Sequence, residues 1–229
     1  MISDESLAVV ARRLKQAGLE DSVFVGGAVV GLLLTDPLAP PTRFTDDVDV
    51  VVSTPTRGSY NRIEERMRMA GHTQAQGGPI CRWMIDDVKV DLMPTDDRIL
   101  GFSNRWYSAL VKSPHELVLQ GDVPVKVVSA PYLVATKLEA FHDRGEGNYL
   151  GSKDIEDIVI LVDGREELVG EIDGAEPKVR HFIVEEIRAL LDSEGFRTSL
   201  PAHMLPDEAS QARVALVLAR MNDMARIGI

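Results

Sequence analysis

Cysteine is almost missing from this chain of 229 residues, which carries a single one, Cys81. A lone cysteine excludes an internal disulfide and fits a reducing compartment. Long apolar runs are missing too. The longest, such as Val48 to Val52, have the length of a strand rather than of a membrane span. Met1-Ile2-Ser3-Asp4-Glu5 lacks the basic and apolar regions of a signal peptide. Arg12-Arg13 is followed by no apolar segment, so it is no secretion signal either. The expected location is the cytoplasm, with no membrane partner. Aromatic residues make up only 5% of the chain. Trp83, Trp106 and Tyr107 read as core or groove wall, with a nucleobase platform as the other reading. Basic residues are outnumbered, 25 against 36 acidic, for a net charge of −11. That balance argues against broad, nonspecific nucleic-acid binding but leaves room for a local basic track. Arg57, Arg62, Arg66 and Arg68 crowd one predicted helix beside Glu64 and Glu65, the pattern of a solvated face. The five histidines are dispersed, which disfavours a zinc site. No G-x-S-x-G is found, and no serine has a plausible His-Asp partnership.

What remains is an ordinary globular composition, 45% hydrophobic and 27% charged, enough for one large domain or two small ones. Ser3 to Gly18 has an apolar stripe at helical spacing. Val23-Phe24-Val25 reads as a short buried strand running into Gly26-Gly27, and a helix is expected from there to Leu34, before the proline-rich stretch Pro37 to Pro41. Val48 to Val52 is too apolar for a one-sided sheet and should be central. Thr56 to Ala70 reads as a helix. Gly77-Gly78-Pro79 and Asp86-Asp87 mark two hairpin turns, and Val123 to Val128 is a further strand. After Ser129 the pattern turns helical: Pro131 to Arg144, a helix capped by Ser152, then Glu176 to Ser193 and Asp207 to Arg226. The expected fold is α/β of the α+β kind, a mixed-sheet domain over 1–128 followed by a helical domain over 129–229, with a ligand cleft closed by the second.

The chemistry concentrates in three aspartates. Asp47 and Asp49 stand one residue apart in Arg43-Phe44-Thr45-Asp46-Asp47-Val48-Asp49, so on a strand they project together. Asp46 faces the other way and should not join them. Asp91 lies in a second apolar run, Val88 to Met93. Three convergent carboxylates cannot all stay ionised unpaired, and hard oxygen donors suit magnesium. Asp47 and Asp49 are expected to bridge two magnesium ions, with Asp91 as a further ligand. Gly26-Gly27, between a strand and the expected helix, would let backbone approach phosphate. Gly26 and Gly31 have P-loop spacing, but Leu32-Leu33 replaces the required lysine and hydroxyl residue, so that motif is rejected. Arg43 and Thr45 would shape the loop before Asp47 and reach a phosphate.

A glycine pair, two spaced acids and a later third acid resemble the polymerase-beta type of nucleotidyltransferase. A second stretch narrows the likeness. Lys137 and Arg144 lie seven apart on one helix, ahead of Lys153-Asp154-Ile155-Glu156-Asp157. This order resembles the AbiEii-type, MenT-like nucleotidyltransferases, toxins of type IV toxin–antitoxin and phage-exclusion systems. The resemblance implies transfer of an NMP from an NTP to an acceptor hydroxyl on RNA, tRNA being the first candidate, a cognate antitoxin, and contact between Lys137 and the triphosphate. The residues alone leave other readings open. A cationic small-molecule acceptor would suit the acidic chain, and a binding module without catalysis is a third. Arg144, Asp154 and Asp157 have two readings, as substrate-binding residues or as a network that locks two helices together. Lys137, in an apolar stripe with Leu133, Ala140 and Phe141, needs a charged partner in either case.

Overall fold

Asp47 begins the strand around which the sheet is built. The computed structural model describes residues 2–145 and 147–228, and its contacts divide into two units, Met1–Val29 with Phe44–Ser129, and Val30–Arg43 with Ala130–Ile229. Among the described residues the first unit carries a sheet of seven strands: β1 (Val23–Val25), β2 (Asp47–Val52), β3 (Thr73–Gln74), β4 (Arg82–Ile85), β5 (Val88–Pro94), β6 (His115–Leu119) and β7 (Val123–Val127). Their order is β3-β4-β5-β2-β1-β7-β6. β2 pairs parallel with β5 and antiparallel with β1. Val48, Val50, Val51 and Val52 are buried, so the expectation of a central strand holds. The class is α+β with a mixed sheet, as the alternation of elements implied.

Helix α1 (Asp4–Gln16) is capped by Ser3 and buries Leu7, Val10, Ala11 and Leu14. Helix α2 (Arg57–Met69) starts with a capping box from Thr56 and Ser59. Its Tyr60 hydroxyl donates to Leu92 O of β5 at 2.9 Å, which fixes it against the sheet. Arg57 donates to Ile99 O, Arg66 donates to Gly18 O, and Arg68 lies over the Trp83 ring. These arginines are tied to their own unit. Trp83 is fully buried and Trp106 is 8% exposed, so both belong to the core. The short helices α3 (Asp97–Leu100) and α4 (Tyr107–Leu110) follow β5.

The second unit is helical: α5 (Ala130–Arg144), α6 (Lys153–Gly164), α7 (Leu168–Asp173), α8 (Pro177–Asp192), α9 (Glu194–Ser199), α10 (Glu208–Ala212) and α11 (Val214–Ala225). The segment 30–43, with its prolines, belongs to this unit for a local reason. Thr35 N and Asp36 N both donate to Gly164 O, at 2.8 and 2.9 Å, closing the carbonyl end of α6.

Two expected helices differ. The helix after Gly26 is instead two 3-10 turns, Gly27–Val29 and Gly31–Leu33. Glycine at both Gly27 and Gly31 weakens a regular helix, and turns of three residues supply no helix dipole for an anion. The helix expected over Asp207 to Arg226 breaks at Arg213, whose guanidinium reaches Asp163 at 2.8 Å and Asp36 at 2.6 Å.

Candidate functional site

The acidic face follows from register. Asp49 is the cross-strand partner of Asp91 in the parallel β2–β5 ladder and of Val25 in the β1–β2 ladder. Paired residues on neighbouring strands project to the same side, and Asp47 shares that side by its spacing of two. The three aspartates therefore stand on one face of the sheet. Asp91 is buried, at 6% exposure. Asp46, just before β2, meets Lys89, the register partner of Asp47, at 3.1 Å near solvent. Thr45 Oγ1 lies 3.3 Å from Asp47 Oδ1 and orients that carboxylate.

Gly26 is where the backbone must yield. Its φ is +75°, a left-handed conformation that costs about 1–2 kcal/mol with a side chain. A Cβ placed there would collide with the Asp49 carboxylate. Gly26→Ala is therefore expected to push Asp49 aside and abolish the activity proposed below, with a smaller loss of thermal stability. Parallel activity and melting measurements check this.

Arg82, on β4, ties the acids together. Its Nε donates to Asp91 Oδ1 and one terminal nitrogen donates to Asp91 Oδ2, both at 2.8 Å. The same nitrogen donates to Asp47 Oδ2 at 2.8 Å. The hydrogen bond to Asp91 holds the Arg82 pKa above its ordinary value. Behind this face, burial and then the Asp91 charge push the Cys81 thiol up to about 12, so Cys81 is no nucleophile.

Among the described residues no three His, Cys, Asp or Glu side chains are gathered into a ready-made metal cage. The donor set nonetheless fits a hard divalent cation. Oxygen donors come from two adjacent strands, and a guanidinium stands in as positive charge between Asp47 and Asp91.

The second unit holds the other candidate residues as one chain of charges. Arg43 forks onto Asp157, with 2.7 Å from Nε and 2.9 Å from a terminal nitrogen. Lys137 Nζ lies 2.6 Å from Asp157 Oδ2 and 3.3 Å from Asp154 Oδ1. Arg144 forks onto Asp154 at 2.8 and 2.9 Å. Asp154 and Asp157 share a face of α6 as their spacing of three requires, and Ser152 caps that helix by accepting from Ile155 N at 3.3 Å. The Arg43 fork grips Asp157, a carboxylate at 1% exposure that needs compensation when taken out of water. Burial works against the Arg43 charge, but the hydrogen bond to Asp157 and the charges of Asp157, Glu156 and Asp154 together outweigh it and raise the pKa.

Burial raises the Asp154 pKa, yet Arg144 and Lys137 together bring it below the ordinary carboxylate value. A depressed folded pKa stabilises fully above the unfolded value of about 3.9 and is lost as pH falls through the folded one. The stability gap between wild type and Asp154→Asn should accordingly shrink below about pH 4, as read from urea midpoints against pH.

The sheet unit thus brings together Asp47, Asp49, Asp91, Gly26 and Thr45, and the helical unit brings together Arg43, Lys137, Arg144, Asp154 and Asp157. Gly27 opens the first 3-10 turn. Arg82 is the residue that pattern-reading passes over. Its signal is the Asp86-Asp87 turn, which sets Arg82 opposite Asp91 once the hairpin register is counted out.

Fold and face together define an α+β protein whose candidate chemistry sits on carboxylates of adjacent strands. Residues 9–225, nearly the whole chain, match the family model described as "AbiEii: Nucleotidyl transferase AbiEii toxin, Type IV TA system". The chain belongs to that family of nucleotidyltransferase toxins. Comparison with curated proteins finds no match. No helix among the described residues is long and apolar enough to cross a membrane.

Proposed function

We propose that this protein is a magnesium-dependent enzyme that moves an NMP from an NTP to a hydroxyl of RNA, tRNA being the first candidate, as the toxin of a two-component system with a separate antitoxin. The observation that carries the proposal is the shared face of Asp47, Asp49 and Asp91, fixed by the β2–β5 register. Family membership supports the reaction class. Two magnesium ions held by these three residues would neutralise triphosphate charge and make the acceptor hydroxyl more acidic. The acceptor oxygen forms a bond to the α-phosphorus, the bond to the bridging oxygen of the β-phosphate breaks, and pyrophosphate leaves. Asp91 takes the hydroxyl proton. Gly26 and Gly27 let backbone N–H groups approach the phosphates without a side chain between them. Thr45 orients Asp47.

The cluster around Lys137 has a separate part. The family resemblance implies that Lys137 meets the triphosphate; until then Asp154 and Asp157, themselves gripped by Arg144 and Arg43, pair with its ammonium. Of its two carboxylate contacts, the one to Asp154 at 3.3 Å is the longer and is the one to exchange for phosphate.

A second reading rests on the net charge of −11, which favours a cationic small-molecule acceptor over RNA. A pure binding module is disfavoured, because binding alone does not require all three acids. Incubation with each α-labelled NTP, magnesium and total RNA separates the readings. Label on RNA that disappears with Asp49→Asn supports transfer to RNA; label that never reaches RNA at any magnesium concentration defeats it.

A further inference from the structure

The geometry points to Arg82 as a built-in counter-cation that competes with divalent metal for Asp47 and Asp91 and is handed over to the nucleotide when metal binds. This rests on the nucleotidyltransferase reading above and extends it to a residue outside the acid set.

The three acids need positive charge between them whether or not a metal is bound. Arg82 supplies it by a two-point fork on Asp91 and a third bond to Asp47, each at 2.8 Å. Both Asp91 oxygens are thereby engaged. A cation that bridges Asp47 and Asp91 meets, on Asp91, only oxygens that now accept from the guanidinium, and a base role for Asp91 meets the same competition. The two cations therefore exclude one another at these oxygens.

Arg82 is placed to leave. It starts β4, with only Ile80 and Cys81 between it and the Gly77-Gly78-Pro79 turn, and its side chain is 21% exposed. Gly77 and Gly78 have φ of +78° and +94°. The Arg82 stem runs past Gly78, 3.5 Å from where a Cβ would stand. Trp83 next to it is buried on the opposite face of the strand, so the backbone of β4 stays fixed while the guanidinium swings. A released guanidinium remains on the acidic face, within a side-chain length of whatever phosphate the metal brings, and its planar fork suits phosphate oxygens. Arg82 is in this sense a positioning residue for the empty site and a phosphate ligand for the loaded one.

Linkage gives the sign of the test. If guanidinium and metal compete, removing one tightens the other, with a coupling of about 5- to 150-fold typical of such systems. Mn2+ binding without nucleotide, followed by the paramagnetic signal of free ion, is expected to be at least about fivefold tighter in Arg82→Gln than in wild type, with Arg82→Lys between them. With Mn2+ saturating, calorimetry with non-hydrolysable analogues of the four NTPs should show the reverse order, weakest in Arg82→Gln. Should Arg82→Gln fail to fold, the wild type still decides. Its Arg82 Nε–H resonance, assigned by its loss in Arg82→Lys, should shift when Mg2+ is added. Equal or weaker Mn2+ binding in the folded variants, or an unmoved resonance on binding of Mg2+, overturns the inference while leaving the metal site standing. No binding of Mn2+ by any variant, with or without nucleotide, overturns the underlying reading and the inference with it.

Discussion

Asp49→Asn is expected to reduce nucleotidyl transfer by about 10³-fold or more while the protein stays folded. Asp49 occupies the middle of the acidic face, paired in register with Asp91 on one side and with Val25 on the other. It also fills the space that the missing side chain of Gly26 leaves. Asparagine keeps that shape and so keeps the packing. What it removes is one negative charge from the set that is to bind cation, so the loss falls on metal-dependent transfer rather than on structure. Transfer of label from an NTP, normalised to protein folded by circular dichroism, measures it. An activity within tenfold of wild type would place the chemistry elsewhere.

Asp157→Ala is expected to be the most damaging single change to stability, costing about 3–5 kcal/mol. Asp157 is at 1% exposure and holds Arg43 at 2.7 Å and Lys137 at 2.6 Å. Its removal leaves a buried lysine with only the longer bond to Asp154 and an arginine without its fork. The penalty comes from the stranded charges more than from the lost bonds. Combining Asp157→Ala with Lys137→Met should therefore cost less than the sum of the single changes, since a charge is removed along with its partner. Urea denaturation of the four proteins tests this; strict additivity would show that the cluster does not act as a unit.

Much of this was readable beforehand, for identifiable reasons. A strand repeats every two residues, so Asp47 and Asp49 on one face follow from spacing alone, and a run as apolar as Val50-Val51-Val52 has to be covered on both sides. Helical spacing likewise put Asp154 and Asp157 together, and a lysine in an apolar stripe demanded a charged partner without naming it. The Arg82–Asp91 pair was available from the hairpin register but takes a count through the turn rather than a local pattern. The β6–β7 hairpin was similarly available, since Gly121 and Asp122 both take positive φ between its strands. Other features have no local signature. Arg43 and Asp157 are 114 residues apart, and nothing near either names the other. The residence of segment 30–43 with the helical unit depends on two amides finding Gly164 O. The 3-10 turns after Gly26 reflect two glycines outweighing an apolar pattern that by itself suggests a regular helix.

The most direct measurement is a crystal of the protein soaked with Mn2+ and a non-hydrolysable NTP analogue, read by anomalous scattering. Peaks at coordination distance from the oxygens of Asp47, Asp49 and Asp91, with triphosphate density beside them, are what is predicted. A nucleotide seated away from these carboxylates, or manganese bound only elsewhere, would contradict it.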